Sequence, residues 1–209
     1  MLNCKLSTVT LSLLLFLLTP LLYADSSAKL AKGIAALDEK EWETAHMFLA
    51  PLAEAGNSEA QFRLGYLYRN GFGVDKNFSE AVSWYQKAAI SGHAQAQHYF
   101  AVNLELGRGI TQDLNEAAIW YRRAAEQGSL DAQFWMAKAS LTGNGLKRDL
   151  ETSYLWHILA LEQDPECGRL QNGLDELTNQ LTPLQIQALD DQIDIWRANG
   201  KHGVPKNLR

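Results

Sequence analysis

Few residues in the sequence have the types and spacing that catalysis requires. Ser26 and Lys29 match S-x-x-K, the spacing that sets a lysine near the nucleophilic serine of penicillin-binding enzymes. The pair follows an N-terminal apolar segment directly, and no K-T-G occurs further on. We interpret it as a chance match. A hydrolase acting on peptidoglycan or a β-lactam is kept as the alternative reading.

The histidines and paired glycines do not combine into a ligand site either. The five histidines are scattered, and His93 and His98 are spaced so that they do not share a helix face. A zinc site needs convergent ligands, so none is expected. The three Gly-x-Gly pairs lack the preceding strand and the following Lys-Ser/Thr of a phosphate-binding loop. The sequence therefore predicts no enzyme activity, no metal and no cofactor.

The N-terminus has the layout of a secretory signal. Lys5 precedes the apolar block Leu11–Leu22, and Ala24 offers a small residue for cleavage. This block of 12 residues is shorter than the roughly 20 that span a bilayer. We therefore expect residues 1–24 to be removed, the mature chain to have no stable membrane span, and the protein to be exported. Export to the periplasm is favoured over full secretion, and a secreted effector that binds host proteins is kept as a further alternative function.

The mature composition limits the partner classes. It retains all 24 acidic residues and 18 of the 19 basic ones, a net charge of −6 without a basic patch. Non-specific nucleic-acid binding needs such a patch, so a nucleic acid is not an expected partner. Cys167 is left as the single cysteine, so no internal disulfide is expected. It is read as a buried inert thiol, with an intermolecular bridge as the alternative.

The elements that must position any binding residues come from an internal repeat. Residues 58–93 return as 94–129 and, more loosely, as 130–165, with a period of 36 and no insertion. Trp84, for example, becomes Trp120 and Trp156. A fixed period of this length indicates a stacked-repeat architecture.

Each repeat reads as two helices joined by a glycine-containing turn. In the first copy the helices are expected at about Ser58–Tyr68 and Phe78–Ile90. Ser58 and Gln61 match a capping box for the first helix. The second helix has an apolar stripe at 3.6-residue spacing. Its start is marked in the three copies by a residue that can cap a helix: Asn77, Asp113 and Asp149.

The flanking segments read as shorter or degenerate units. Residues 25–57 predict a helix pair with a shorter connecting turn, similar to a tetratricopeptide unit. Residues 166–209 predict a degenerate helix, a capping helix over Leu184–Ala198 that starts at Thr182-Pro183, and a tail. The acids Asp190, Asp191 and Asp194 are interpreted as its solvated outer face, because the end of a solenoid needs a polar surface.

The motif A-x-x-x-L-G-x-x-Y, then G-x-G-V, then E-A-x-x-W-Y-x-x-A-A-x-x-G resembles the Sel1-like repeat, a relative of the tetratricopeptide repeat. The copy at 130–165 departs from it, with Ser153 for an alanine and His157 for a tyrosine. The resemblance implies an all-α fold, a right-handed α-α superhelix (solenoid) of helix pairs. It also implies a non-enzymatic adaptor that assembles or regulates other proteins, often in bacterial envelopes.

A binding surface is predicted where the copies differ. In such solenoids the first helix of each pair lines the concave face, and its residues away from the packing stripe are candidates for contacting a partner protein. These candidates are Phe62, Tyr66, Arg69, His98, Val102, Glu105, Phe134 and Lys138. For Phe62 and Phe134, packing against the next repeat is an equal alternative. Partner identity and oligomeric state do not follow from the sequence.

Overall fold

Residues 25–199 are described by a computed structural model as a stack of helices, each packed mainly on its neighbours in sequence. The expected signal peptide at 1–24 and the tail at 200–209 lie outside the described residues. Within the described part there are ten helices and no strand: α1 at 25–38, α2 Trp42–Glu54, α3 Ser58–Asn70, α4 Phe78–Ile90, α5 Ala94–Leu106, α6 Leu114–Glu126, α7 Leu130–Thr142, α8 Leu150–Gln163, α9 Gly168–Thr178 and α10 Pro183–Ala198. The predicted all-α solenoid of helix pairs is confirmed.

Each repeat contributes one pair of helices. We call the first of each pair the A helix (α1, α3, α5, α7 and α9) and the second the B helix (α2, α4, α6, α8 and α10). In the three repeats, contacts run from A to B within a pair and from B to the next A between pairs, whereas α10 packs on α8. The fold therefore extends one pair at a time, as in other repeat solenoids.

The B helices begin where the sequence predicts. The side chain of Asn77 accepts a hydrogen bond from the Glu80 amide, and Asp113 does the same for the Glu116 amide. Asp149 caps α8 in the same way. These side chains satisfy backbone N–H groups that have no partner inside the helix.

The capping box predicted for the A helix is wrong. Asn57, one residue earlier than Ser58, is the N-cap of α3 and accepts from the Ala60 amide. Gln61 instead donates to the carbonyl oxygen of Ala53 at 3.1 Å. Its counterparts Gln97 and Gln133 make the same bond, each at 3.2 Å, to the carbonyls of Ala89 and Ala125. The repeated glutamine thus ties the end of each B helix to the next A helix.

The second glycine of each turn has a packing role beyond reversing the chain. Gly109 has φ +73°, and a Cβ there would collide with the backbone of Phe78, the first residue of α4. Gly73 meets Trp42 and Gly145 meets Leu114 in the same way. A turn of one repeat therefore rests directly on the start of the preceding B helix, and a larger residue would separate them.

The interior is a continuous seam of small and aromatic side chains. We call these buried positions the seam, and in the three copies they are Ala60, Ala96 and Ala132; Ala81, Ala117 and Ser153; Tyr85, Tyr121 and His157; and Ala88, Ala124 and Ala160. Alanines let the helix backbones approach closely, and the rings fill the space that remains. Burial of this apolar surface is the main favourable term in folding.

In the third copy, two seam positions carry a serine and a histidine in place of an alanine and a tyrosine. Ser153 donates its hydroxyl to the Ala137 carbonyl at 2.7 Å, so this buried polar group is paired. The His157 ring hydrogen-bonds through Nδ1 to the Ser153 carbonyl at 2.8 Å and packs against Gly173 of α9. Burial lowers the pKa of His157, against the opposing effects of the Ser153 carbonyl and Glu176. The ring is therefore held neutral at pH 7.

The repeated tryptophan of the B helix has a different neighbour in the third copy than in the first two. Lys87 lies 3.7 Å over the ring of Trp84, and Arg123 lies 4.4 Å over the ring of Trp120. In the third copy Leu159 takes the place of these cations, and Trp156 is fully buried. The change fits the added contact between α8 and α10.

The C-terminal helix starts as predicted, but its surface differs from the prediction. Thr182 and Gln185 form a capping box, with Pro183 in the first turn. Asp190 is not merely solvated, because it accepts a 2.9 Å hydrogen bond from the Tyr154 hydroxyl, whose pKa is raised to about 12 by burial and by this carboxylate. Leu184 and Ile195 are 81% and 63% exposed. The outer face is thus only partly polar.

Candidate partner-binding face

The A helices carry the side chains that vary from copy to copy. We call this surface the A-helix face, and it consists of four rows at equivalent positions: Phe62, His98 and Phe134; Arg63, Tyr99 and Trp135; Tyr66, Val102 and Lys138; and Arg69, Glu105 and Leu141. Most of these residues are half-buried, and Lys138 is exposed. The seam behind them holds their backbones in register.

A groove opens at the N-terminal end of the A-helix face. Its volume is about 350 Å³, and it is lined by Leu37, Asp38, Trp42, Phe62, Arg63, Tyr66, Gln95 and Tyr99. The Trp42 ring stacks on Phe72 with centroids 4.4 Å apart, and Tyr66 meets Phe72 edge-on at 5.9 Å. These contacts hold two aromatic walls of the groove in place.

Phe62 is mainly a packing residue. Its side chain is only 6% exposed, and its ring stacks on His93 at 4.8 Å and meets Tyr99 at 5.7 Å. Most of the Phe62 surface is therefore used in packing against neighbouring residues. His93 in turn bonds through Nε2 to the Glu59 carboxylate at 2.8 Å, a contact that joins α3 to the N-cap residue of α5. The pKa of Glu59 is lowered by the hydrogen bonds from His93 and Arg63, although its burial acts in the opposite direction.

The middle of the face combines aromatic rings with opposite charges. The Arg69 guanidinium lies 4.9 Å from the centre of the Tyr99 ring, and Tyr99 stacks on Tyr85 at 5.4 Å. One repeat further on, the Tyr121 hydroxyl donates to the Glu105 carboxylate at 2.7 Å. An arginine and a glutamate therefore occupy the same place in successive repeats.

His98 lies between these two groups. Its ring meets Tyr99 and Tyr121 edge-on at 5.4 and 5.7 Å, and its Nδ1 is buried without a hydrogen-bond partner among the described residues. Burial lowers the pKa of His98, Asp131 and Glu105 act against this, and Arg69 adds to it. The ring is thus uncharged at pH 7 and contributes aromatic surface rather than charge.

The C-terminal part of the face holds two smaller recesses. Phe134, with Arg169 at 4.8 Å over its ring, lines a cavity of about 260 Å³ that also contains the half-buried Cys167. Glu105 and Lys138 line a recess of about 50 Å³. Val102 is half-buried and packs on the core. The predicted residues are therefore distributed along the face and do not converge on one point.

Tyr99 and Trp135 are part of this face and were missed by the sequence reasoning. Trp135 stacks on Tyr121 at 4.2 Å, as Tyr99 does on Tyr85. The row Arg63, Tyr99, Trp135 varies as much as the rows that were chosen. Their variation at one repeat position could have identified them from the sequence.

The described residues include no candidate metal-binding cluster, and the S-x-x-K pair lies at the surface. Between residues 25 and 199 there is no group of three or more His, Cys, Asp or Glu placed to hold a metal ion. Ser26 and Lys29 are exposed on α1, and Lys29 pairs with Asp25 at 2.6 Å. In the same part of the chain, no helix has the length and apolar character needed to cross a membrane.

Comparison with known proteins agrees with this architecture. The family model for the Sel1 repeat matches residues 58–93, 94–129 and 130–165, which is just over half of the chain. The chain belongs to the Sel1 repeat family. Sel1 repeat proteins are generally protein-interaction scaffolds, typically without catalytic activity. The family therefore implies protein partners.

Two solved structures are similar to this chain. A Sel1 repeat protein from Oxalobacter formigenes is 34% identical, with a TM-score of 0.65 over 69% of this chain and 59% of that one. Protein c5321, a protective antigen present in uropathogenic Escherichia coli strains that displays an SLR fold, is 35% identical, with a TM-score of 0.63 over 66% of this chain and 30% of that one.

A similar curated protein is the chitin synthase regulator SKT5 of Saccharomyces cerevisiae. It is 45% identical over 51 residues, which are 24% of this chain and 7% of that protein. The chain thus spans less than two thirds of each of these three relatives.

Proposed function

We propose that this protein is an exported, non-enzymatic scaffold that binds a partner protein through the A-helix face. One observation carries the proposal. The side chains that are the same or nearly the same in every repeat are buried in the seam, whereas the A-helix face carries aromatic and charged side chains that differ between the repeats. Stacking needs the first set only. Binding is the use that remains for the second set, because aromatic and arginine side chains dominate protein interfaces.

The groove supplies the geometry for such binding. Trp42 and Tyr66 form rigid walls, and Arg63 and Gln95 add polar groups at the same opening. A volume of about 350 Å³ accommodates one or a few side chains of a partner segment. The partner is therefore expected to insert a loop or an extended peptide.

Export to the periplasm is part of the proposal and is supported by the N-terminal pattern of residues 1–24. Two of the similar proteins come from bacteria, and one of them is described as a protective antigen. The third is described as a regulator of another enzyme, which supports a scaffolding role. Cell fractionation with mass measurement of the mature N-terminus tests this part. A full-length chain in the cytoplasmic fraction would contradict it.

The binding proposal is tested by capture from envelope extract. Wild-type protein is compared with the double variant Tyr66→Ala/Arg69→Ala and with a matched control, Gln86→Ala/Glu126→Ala, whose sites are exposed on B helices. Quantitative mass spectrometry should find partners retained by the wild type and the control and lost by the A-helix variant. Equal retention by all three proteins would show that the A-helix face is not the binding surface.

A further inference from the structure

Two equivalent tyrosines of the seam have different hydrogen bonding. Tyr85 and Tyr121 are 0% and 2% exposed, and each stacks on the ring that follows it on the A-helix face, at 5.4 Å and 4.2 Å. Both tyrosines have aromatic neighbours, although the rings differ between the copies. The side chain at the position of Arg69 and Glu105 decides whether the hydroxyl proton has an acceptor.

In the second copy the chain supplies an acceptor for the tyrosine. The Tyr121 hydroxyl donates to the Glu105 carboxylate at 2.7 Å. In the first copy the equivalent residue is Arg69, and a guanidinium has donors only. The proton of the buried Tyr85 hydroxyl has no acceptor in residues 25–199, although the Arg69 guanidinium lies close enough to interact with the hydroxyl oxygen. A buried hydroxyl whose proton has no acceptor is unfavourable and uncommon in native proteins.

Arg69 also lacks an acidic partner. Among the described residues no carboxylate lies within ion-pair distance of its guanidinium, which rests instead on the Tyr99 ring at 4.9 Å. The side chain is half-buried. A guanidinium in such a place favours a carboxylate, which it can bind through two parallel hydrogen bonds. Arg69 and Tyr85 thus present donors where the next repeat holds a carboxylate of its own.

We propose that the Arg69–Tyr85 pair binds a carboxylate of the partner protein, an Asp or Glu side chain or a chain terminus. The carboxylate would accept from the Arg69 guanidinium and the Tyr85 hydroxyl, as Glu105 accepts from Tyr121. To meet this carboxylate, the half-buried Arg69 side chain would turn from the Tyr99 ring, on which it now rests. This inference rests on the proposed function and adds to it the chemistry that the partner must carry beside the aromatic groove.

Binding is tested with an array of synthetic random decapeptides, each printed with its acidic residues and also with Asn and Gln in their place, with free and with amidated C-termini. Wild-type protein should prefer the carboxylate forms by about tenfold or more. Arg69→Ala should abolish this preference. The matched control Arg108→Ala changes an exposed arginine in the turn between α5 and α6, away from the A-helix face, and it should keep the preference.

The outcomes separate this inference from the proposed function. If Arg69→Ala keeps the preference for carboxylates, or if the wild type shows none, the inference is wrong. Binding that Tyr66→Ala still weakens would then leave the A-helix face as the binding surface. If no peptide binds the wild type, the inference is also rejected, while capture from envelope extract decides the proposed function separately.

A second measurement needs no ligand. Arg69→Glu gives the first copy the acceptor that Glu105 provides in the second. It should raise the Tm by about 3 °C when Tyr85 is present, and not in a Tyr85→Phe background. Tyr85→Phe alone should leave the Tm unchanged, whereas Tyr121→Phe should lower it. Equal effects of the two tyrosine substitutions, or an Arg69→Glu effect that does not depend on Tyr85, would show that the hydroxyl does not lack an acceptor.

Discussion

The seam and the A-helix face are built from the same repeats but obey different requirements. In the seam, a position keeps nearly the same residue in each copy, as with Ala88, Ala124 and Ala160, all of which have no exposed surface. On the A-helix face, by contrast, one position is Tyr66 in the first copy, Val102 in the second and Lys138 in the third. The seam must fill a fixed space between helices, whereas the face has no such constraint. Substitutions should therefore affect stability in one region and binding in the other.

The largest effect is expected where a turn rests on the preceding B helix. Gly109→Ala introduces a Cβ against the backbone of Phe78 in a left-handed conformation, and should lower the free energy of unfolding by about 3 kcal/mol. Gly128→Ala is the control, because Gly128 has φ +89° but nothing within 4 Å of its added Cβ. It should cost about 1 kcal/mol. Urea unfolding measures both, and equal costs would contradict the packing role of Gly109.

A somewhat smaller effect is expected for the glutamine that joins repeats. Gln97→Ala removes two side-chain hydrogen bonds, the one it donates to the Ala89 carbonyl and the one it accepts from Gln127, so unfolding should become easier by about 2 kcal/mol. Gln95→Ala, an exposed change on the same helix, should stay within about 0.5 kcal/mol of the wild type. If thermal unfolding does not distinguish the two variants, the glutamine does not hold the repeats together.

The stability of the protein should depend on pH because of His157, the buried histidine of the third copy. Because burial lowers the pKa of His157 below its ordinary 6.5, the unfolded chain takes up the proton more readily than the folded one. Stability should therefore be fully present above pH 6.5 and fall as the pH is lowered below it. His157→Gln removes this titration, and its Tm should change less than that of the wild type between pH 7 and pH 5. A pH profile with the same slope in both proteins would assign the effect to other groups.

The smallest effect on stability is expected on the A-helix face. Lys138→Ala changes an exposed side chain whose contact in α7 is made by its backbone carbonyl, which accepts from Thr142, so unfolding should shift by no more than about 0.5 kcal/mol. Association with a captured partner should slow, since charges at the edge of an interface act mainly on the rate of encounter. If Lys138→Ala lowers the stability and leaves the association rate unchanged, Lys138 acts in packing and not in binding.

Most of the helical framework could be predicted because it depends on local chemistry. Asn77 and Asp113 cap helices as their side-chain oxygens suggest, and the 36-residue register places Tyr85 and Tyr121 at the same seam position. The failures are contacts across the chain. Gln61 has the spacing of a capping residue, but its amide reaches Ala53 in the preceding helix. Such a choice between two partners depends on how adjacent helices are packed.

The candidate site was predictable only as a region. Register identifies which rows vary, but Phe62 is largely covered by His93 and Tyr99, and this follows from the distance between neighbouring A helices. The sequence-based prediction did not include Tyr99 and Trp135, although their row varies like the others. Exposure on a helix face is decided by the neighbouring repeats, which a periodic pattern alone does not describe.

The sequence by itself determined the repeat, its helix boundaries and the small and aromatic residues of the seam, because these follow from backbone geometry and apolar periodicity. The tertiary structure alone decided which varied residues remain accessible and which groups lack a partner. The Tyr85 hydroxyl is the clearest case. It is one of two equivalent tyrosines in the sequence, and only the packing of Arg69 beside it shows that its proton has no acceptor.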